Sequence, residues 1–104
     1  MYVMKIISWK IFEITTKNTP IHGVMLRGKI RKFSIEQSFL LLTENAVDKE
    51  NCVRFAVSSD GDARKVVAYL HSLIEDVQIA EVAKNILNPV LSKLKVNDES
   101  RYTL

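Results

Sequence analysis

The sequence predicts an α+β sandwich in which two helices cover one face of an antiparallel sheet. Stretches rich in β-branched and aromatic residues alternate with stretches whose apolar residues recur at helical spacing. The chain has 104 residues, of which 47% are hydrophobic and 26% charged, with only three glycines and two prolines. That composition is typical of one globular domain without long flexible linkers.

Two strands are predicted in the N-terminal third of the chain. The first lies within residues 3–16, where isoleucine, tryptophan and phenylalanine favour a pleated surface. Residues 17–20 predict a turn. Residues 22–32 predict the second strand, because apolar side chains alternate there with three cations.

The remaining elements are two helices and two strands. The first helix is predicted over residues 35–47, since Ser34 and Gln37 have the spacing of a capping box. A strand over residues 52–58 follows, and then a second helix over about 63–74 that residues 59–62 cap. The last strand is predicted over residues 77–82. Residues 90–96 fit either a short helix or an edge strand, because the spacing of their apolar residues serves both.

This order of elements fits a ferredoxin-like split βαβ arrangement with an extra N-terminal strand. The whole chain, residues 1–104, is predicted to be a single domain. Within it, residues 1–21 would form the N-terminal strand extension, residues 22–83 the core and residues 84–104 a C-terminal extension.

Positive charge is concentrated near the N-terminus. The net charge is +3, yet residues 1–33 hold seven lysines or arginines and one acid, Glu13. An anionic partner would therefore meet the protein there, although a solvated basic face is an equally physical reading. The single cysteine, Cys52, excludes an intramolecular disulfide and predicts a buried residue in a cytoplasmic protein. No apolar run approaches the roughly 20 residues of a membrane span.

The same basic stretch supplies the candidate site. A cationic strand end that runs into a helix N-terminus favours an anion, because free backbone N–H groups and the helix dipole both attract negative charge. The residues predicted to bind the anion are Arg27, Lys29, Arg31, Lys32 and Ser34. No metal site is predicted, since His22 and His71 are not spaced as a pair, and no cofactor is expected.

Residues 28–31 at a strand end, followed by a loop and a helix, resemble the acylphosphatase family, as does the later pattern over residues 53–82. In that family a Gly-Val-Gly-Phe-Arg loop binds a phosphate through backbone amides and its arginine, and an asparagine on the following strand positions the attacking water. Alignment of Gly28 with the family glycine places Lys32, Phe33 and Ser34 at the Gly-Val-Gly positions and Glu36 at the arginine. The resemblance then implies the ferredoxin-like fold without the catalytic residues.

The function expected on these grounds is a non-catalytic acylphosphatase-like module that binds a protein partner or assembles into an oligomer. Two alternatives stay open: binding of a phosphorylated or nucleic-acid anion at the basic stretch, and acyl-phosphate hydrolysis at an atypical site. Among partners, a second copy or another protein is expected. Nucleic acid is not, because aromatic side chains for base stacking do not accompany the cations.

Overall fold

The computed structural model describes residues 7–21 and 25–93, which form four strands and two helices in the order βαββαβ. The strands are β1 Trp9–Thr16, β2 Leu42–Asn45, β3 Cys52–Val57 and β4 Val77–Ile86, and the helices are α1 Leu26–Glu36 and α2 Asp60–Leu73. All neighbouring strands are antiparallel, in the order β2-β3-β1-β4. This confirms the predicted fold class, and the N-terminal strand occupies an inner position of the sheet.

Both helices lie on one face of the sheet. Phe12 and Phe55, which face each other on β1 and β3, stack with ring centroids 5.0 Å apart. The same buried cluster takes side chains from both helices, among them Ile30 of α1 and Leu70 of α2, each fully buried. Burial of these apolar side chains supplies the main stabilisation of the fold.

The predictions for residues 22–32 and 35–47 are wrong. Residues described from Leu26 onward form α1, and the chain returns to the sheet as β2. Leu26 and Ile30 are both buried and lie one helical turn apart. Their separation by four residues is typical of the helix that forms, whereas the prediction relied on apolar residues at every second position. Residues 22–24 of the predicted strand lie outside the described residues.

The capping box proposed at Ser34 is also wrong, because Ser34 lies in the last turn of α1. Its hydroxyl donates to the carbonyl of Arg31 over 2.7 Å, a bond that a buried helical serine commonly makes. Ser38, with φ of 60°, ends the helical path. The apolar run that follows could belong to a helix or a strand by pattern alone. Its last residue, Leu42, begins β2, which pairs with β3 over Leu42–Asn45.

The second half of the chain follows its predictions closely. The strand over residues 52–58 and the start of the last strand at Val77 are confirmed, although β4 extends to Ile86. Ser59 caps α2, since its side chain accepts from the N–H of Asp62 over 3.1 Å. Cys52 is buried, as expected. Of the ambiguous segment, residue 90 is in neither a helix nor a strand, residues 91–93 form a turn, and residues 94–96 lie outside the described residues.

The face of the sheet away from the helices is covered in part by the chain that follows β4. Leu91 packs there with Trp9, Ile11, Ala56 and Ile86 in a second buried cluster. This segment is tied to the chain beyond β2 as well, because the N–H of Val47 donates to the carbonyl of Ser92 over 2.7 Å.

A buried arginine on that face connects the sheet to the covering segment. Arg54, only 2% exposed, lies opposite Glu13 and donates to its carboxylate over 2.8 Å. It also donates to Asp48 over 2.7 Å and to the carbonyl of Leu91 over 3.0 Å. Burial by itself would raise the pKa of Glu13, but the hydrogen bonds from Lys49 and Arg54 outweigh it and hold that pKa below its usual value.

Candidate anion-binding pocket

A small pocket opens at the start of α1. It has a volume of about 200 Å³ and is lined by Met25, Leu26, Arg27, Gly28, Arg31 and Asn45. The first five residues belong to α1 and its cap, whereas Asn45 is the last residue of β2. The pocket therefore joins two arginines to an amide from the neighbouring edge strand.

The pocket lies against the first turn of α1. The capping residue is Met25, whose side chain makes no capping hydrogen bond, and the first turn contains no acidic residue. The first backbone N–H groups of a helix have no partner within the helix, and together with the dipole they attract an anion. Met25 has φ of 56° and ψ of 35°, a left-handed conformation that favours glycine and costs a methionine about 1 kcal/mol.

The two arginines are one helical turn apart and so share a face of α1. Arg31 is directed toward the edge strand, since its Nη2 lies 3.4 Å from the carbonyl oxygen of Thr43. At that distance the hydrogen bond is weak, and an anionic ligand would compete for the same group. Two arginines therefore line the pocket, and the planar guanidinium of arginine matches the oxygens of a phosphoryl group.

The structure brings together only part of the predicted anion site. Arg27 and Arg31 line the pocket. Lys29 and Lys32 are exposed on α1 and do not line it, and Ser34 is buried near the other end of the helix. The site is therefore built at the N-terminus of α1, and not at the loop predicted around residues 31–34.

Sequence reasoning missed Asn45, which it placed at the end of a helix. No local motif marks this residue, because its place in the pocket depends on β2 lying beside α1.

The chain that leads from β1 toward the pocket is held by one carboxylate. Asp76 accepts from the backbone N–H groups of Lys17, Asn18 and Thr19 over 3.1, 2.8 and 3.2 Å, and from the Thr19 hydroxyl over 2.7 Å. These hydrogen bonds favour the ionised carboxylate and lower the pKa of Asp76 to about 2. The bond from the Thr19 side chain contributes most to this shift, and the bond from the Asn18 backbone comes next.

A second side chain completes this anchor. The Asn51 carbonyl accepts from the N–H of Ile21 over 2.8 Å, and its amide donates to the Thr16 hydroxyl over 2.7 Å and to the Thr19 carbonyl over 3.1 Å. Asn51 itself has φ of 47°, which asparagine tolerates better than most residues. Residues 16–21 therefore have a set path before they approach the pocket.

The Asp76→Asn variant is expected to show a pH-dependent loss of stability. A folded-state pKa below the ordinary 3.8 contributes stability that is complete above pH 4 and is lost as the pH falls toward 2. The Tm difference between the wild type and the variant should therefore be largest at pH 6 and shrink between pH 4 and 2. Thermal unfolding at each pH measures it, with Glu75→Gln as the control. A Tm difference that stays constant with pH would contradict the assignment.

No group of three or more histidine, cysteine, aspartate or glutamate side chains in residues 7–21 and 25–93 is placed to hold a metal ion. None of the helices in those ranges is long and apolar enough to cross a membrane. The polar chemistry of the pocket consequently comes from guanidinium, amide and backbone groups.

Comparison with known proteins finds no family model, no curated protein and no solved structure that matches this chain. The function is therefore argued from the pocket itself and from the order of residues around it.

Proposed function

We propose that the pocket at the start of α1 binds a phosphoryl group and hydrolyses acyl phosphates. The main support for this proposal is that Arg27 and Asn45 line the same pocket. This pocket lies at the N-terminus of α1, where the Met25 side chain makes no capping hydrogen bond. Arg27 would bind the phosphoryl oxygens, Arg31 would assist it, and the Asn45 amide would orient water.

The order of residues supports the same proposal. Residues 23–27 read Gly-Val-Met-Leu-Arg, which resembles the Gly-Val-Gly-Phe-Arg loop of the acylphosphatase family with the arginine at Arg27. The alignment that put Glu36 at the arginine depended on a strand ending near Gly28, and Gly28 lies inside α1. Met25 stands where the family has its second glycine, and its positive φ is the conformation that a glycine there would adopt without strain.

The proposed reaction is a simple displacement at phosphorus. Oxygen of a water molecule forms a bond to the phosphorus while the bond from phosphorus to the acyl oxygen breaks. The products are inorganic phosphate and a carboxylate, and a proton from the water is released. Charge develops on the phosphoryl oxygens and on the leaving carboxylate, so preorganised guanidinium and N–H donors lower the barrier without moving.

The Asn45→Ala variant tests the catalytic part of this proposal. We expect kcat for acetyl phosphate to fall about 100-fold, which is the order of effect seen when one preorganised polar group is removed from such a site. The inhibition constant of inorganic phosphate should change less than threefold, because Arg27 and the helix N-terminus remain. Steady-state kinetics with phosphate as competitor measure both quantities.

Asn88→Ala is the matched control, since Asn88 is exposed and does not line the pocket. It should retain the wild-type kcat. A wild-type protein without measurable hydrolysis of acetyl phosphate would reject the catalytic role, and calorimetric binding of inorganic phosphate would then decide whether anion binding alone stands.

A second candidate function is assembly with a second copy of the chain, and the position of β4 as an outer strand of the described sheet favours it. This ten-residue strand is the outer strand of the sheet and exposes Val82, and Leu87 beyond it is 52% exposed. Long exposed edge strands are able to pair with a further strand. Sedimentation of the purified protein tests this candidate, and a monomer at all concentrations would reject self-assembly.

A further inference from the structure

A second and larger pocket adjoins the first. It has a volume of about 420 Å³ and lies along β2, lined by Arg31, Leu41, Leu42, Thr43, Glu44, Pro89, Val90, Leu91 and Ser92. Arg31 lines both pockets, so the two meet at its side chain. We call the larger one the β2 pocket. A molecule whose phosphoryl group lay beside Arg27 would extend past Arg31 into it.

The far wall of the β2 pocket is a fixed part of the fold. The carbonyl of Leu91 accepts from the buried Arg54 over 3.0 Å, and the carbonyl of Ser92 accepts from the N–H of Val47 over 2.7 Å. Leu91 is itself buried in the second apolar cluster. Since this wall is bonded to β3 and to the chain that follows β2, the pocket has a definite shape before any ligand arrives.

The lining combines an apolar surface with one carboxylate. Leu42 is 40% exposed, and Pro89 and Val90 are half-buried, so all three offer apolar surface to a ligand. Glu44 is exposed and takes part in none of the ion pairs of residues 7–21 and 25–93. Arg31 joins the β2 pocket to the phosphoryl pocket, and Glu44 is the one negative side chain among the described residues that line it.

We propose that the β2 pocket binds the acyl part of the substrate and selects a bulky apolar acyl group that carries a cation. This inference rests on the proposed acyl-phosphate hydrolysis and extends it from the phosphoryl group to the rest of the substrate. The apolar walls favour an aromatic or branched body. Glu44 favours a positive charge on that body, whereas an acyl group with a second negative charge would meet a repulsive carboxylate.

Three acyl phosphates test the proposal: acetyl phosphate, 4-neopentylbenzoyl phosphate and 4-(trimethylammoniomethyl)benzoyl phosphate. The two aromatic compounds have nearly the same shape and differ in one positive charge. In the wild type, kcat/KM should be about tenfold higher for the neutral aromatic compound than for acetyl phosphate, because partial burial of the ring is favourable. For the cationic compound, kcat/KM should be about threefold higher again, which is the effect expected of a partly solvated ion pair with Glu44.

Two variants assign these preferences to the pocket. Glu44→Gln should remove the preference for the cationic over the neutral compound. Leu42→Ser should reduce the preference for both aromatic compounds over acetyl phosphate by about threefold. Glu81→Gln, at the opposite edge of the sheet, is the control and should change neither ratio.

The outcomes separate the two proposals. Hydrolysis of acetyl phosphate with equal kcat/KM for all three compounds, or ratios that Glu44→Gln leaves unchanged, would overturn the β2 pocket and leave the phosphoryl site standing. No hydrolysis of any of the three compounds would overturn the proposed function and this inference with it.

Discussion

Arg27→Ala is expected to lower kcat/KM for acetyl phosphate by about 1,000-fold. Arg27 is the arginine at the first turn of α1, where the helix dipole already favours an anion. Removal of a cation aimed at the phosphoryl oxygens withdraws stabilisation from the ground state and from the developing charge of the transition state. Phosphate inhibition should weaken in parallel, which steady-state kinetics measure in the same assay.

Two further variants make the result specific to Arg27. Lys29→Ala removes an exposed cation from the same helix without touching the pocket, and it should stay within twofold of the wild type. Arg27→Lys keeps the charge but loses the planar fork, so it should recover only part of the lost activity. If Lys29→Ala and Arg27→Ala reduced the rate equally, the effect would come from the net charge of the helix and not from the pocket.

Arg54→Met is expected to reduce the free energy of unfolding by about 3–5 kcal/mol, the usual cost when one partner of a buried ion pair is removed. Methionine fills much of the space of the arginine stem, so a cavity adds little. The loss arises because the Glu13 carboxylate keeps only Lys49, and the carbonyl of Leu91 loses its donor. Urea denaturation followed by circular dichroism measures it.

A double-mutant cycle with Glu13 tests whether the unpaired carboxylate causes the loss of stability. Glu13→Gln in the Arg54→Met background removes the buried negative charge, and the double variant should be more stable than Arg54→Met alone. Because Arg54 also holds the wall of the β2 pocket, Arg54→Met should in addition lower the preference for aromatic over acetyl substrates. A loss of stability below 1 kcal/mol would show that the pair is solvated in the folded protein.

Local chemistry was sufficient to predict the second half of the fold. Ser59 with Asp62 marks the start of α2. Apolar residues at every second position, Val53, Phe55 and Val57, identify β3, whose inner position buries every residue. In these segments the intrinsic preference of the residues agrees with the conformation that the tertiary environment favours. The local sequence is therefore enough to predict the secondary structure.

The segment from α1 to β2 was mispredicted because its apolar residues fit the two-residue repeat of a strand as well as the 3.6-residue repeat of a helix. Cations at Arg27, Lys29 and Arg31 lie between apolar residues as they would in a strand, yet Leu26 and Ile30 meet the core only from a helix. The apolar run after Ser38 extends equally well in either conformation. Pairing with β3 and packing against the sheet decide between helix and strand. These contacts involve residues far away in the sequence, so the local pattern does not reveal them.

The candidate site divides in the same way. Its charges were visible in the sequence, since Arg27 and Arg31 stand out in a basic stretch near a helix. Asn45 was not, because an asparagine at the end of a short strand resembles any turn residue until the strand is placed beside α1. The wall formed by residues 89–92 depends likewise on a contact with distant Arg54.

The amino-acid sequence by itself determined the α+β class, the two helices on one face and the cationic character of the site. These features follow from side-chain periodicity, capping and charge, which act over a few neighbouring residues. Only the tertiary structure decided that an uncapped helix N-terminus, an edge-strand amide and a C-terminal wall form adjoining pockets. Such a meeting depends on long-range burial and strand pairing, whose free energy belongs to the folded whole and not to any single segment.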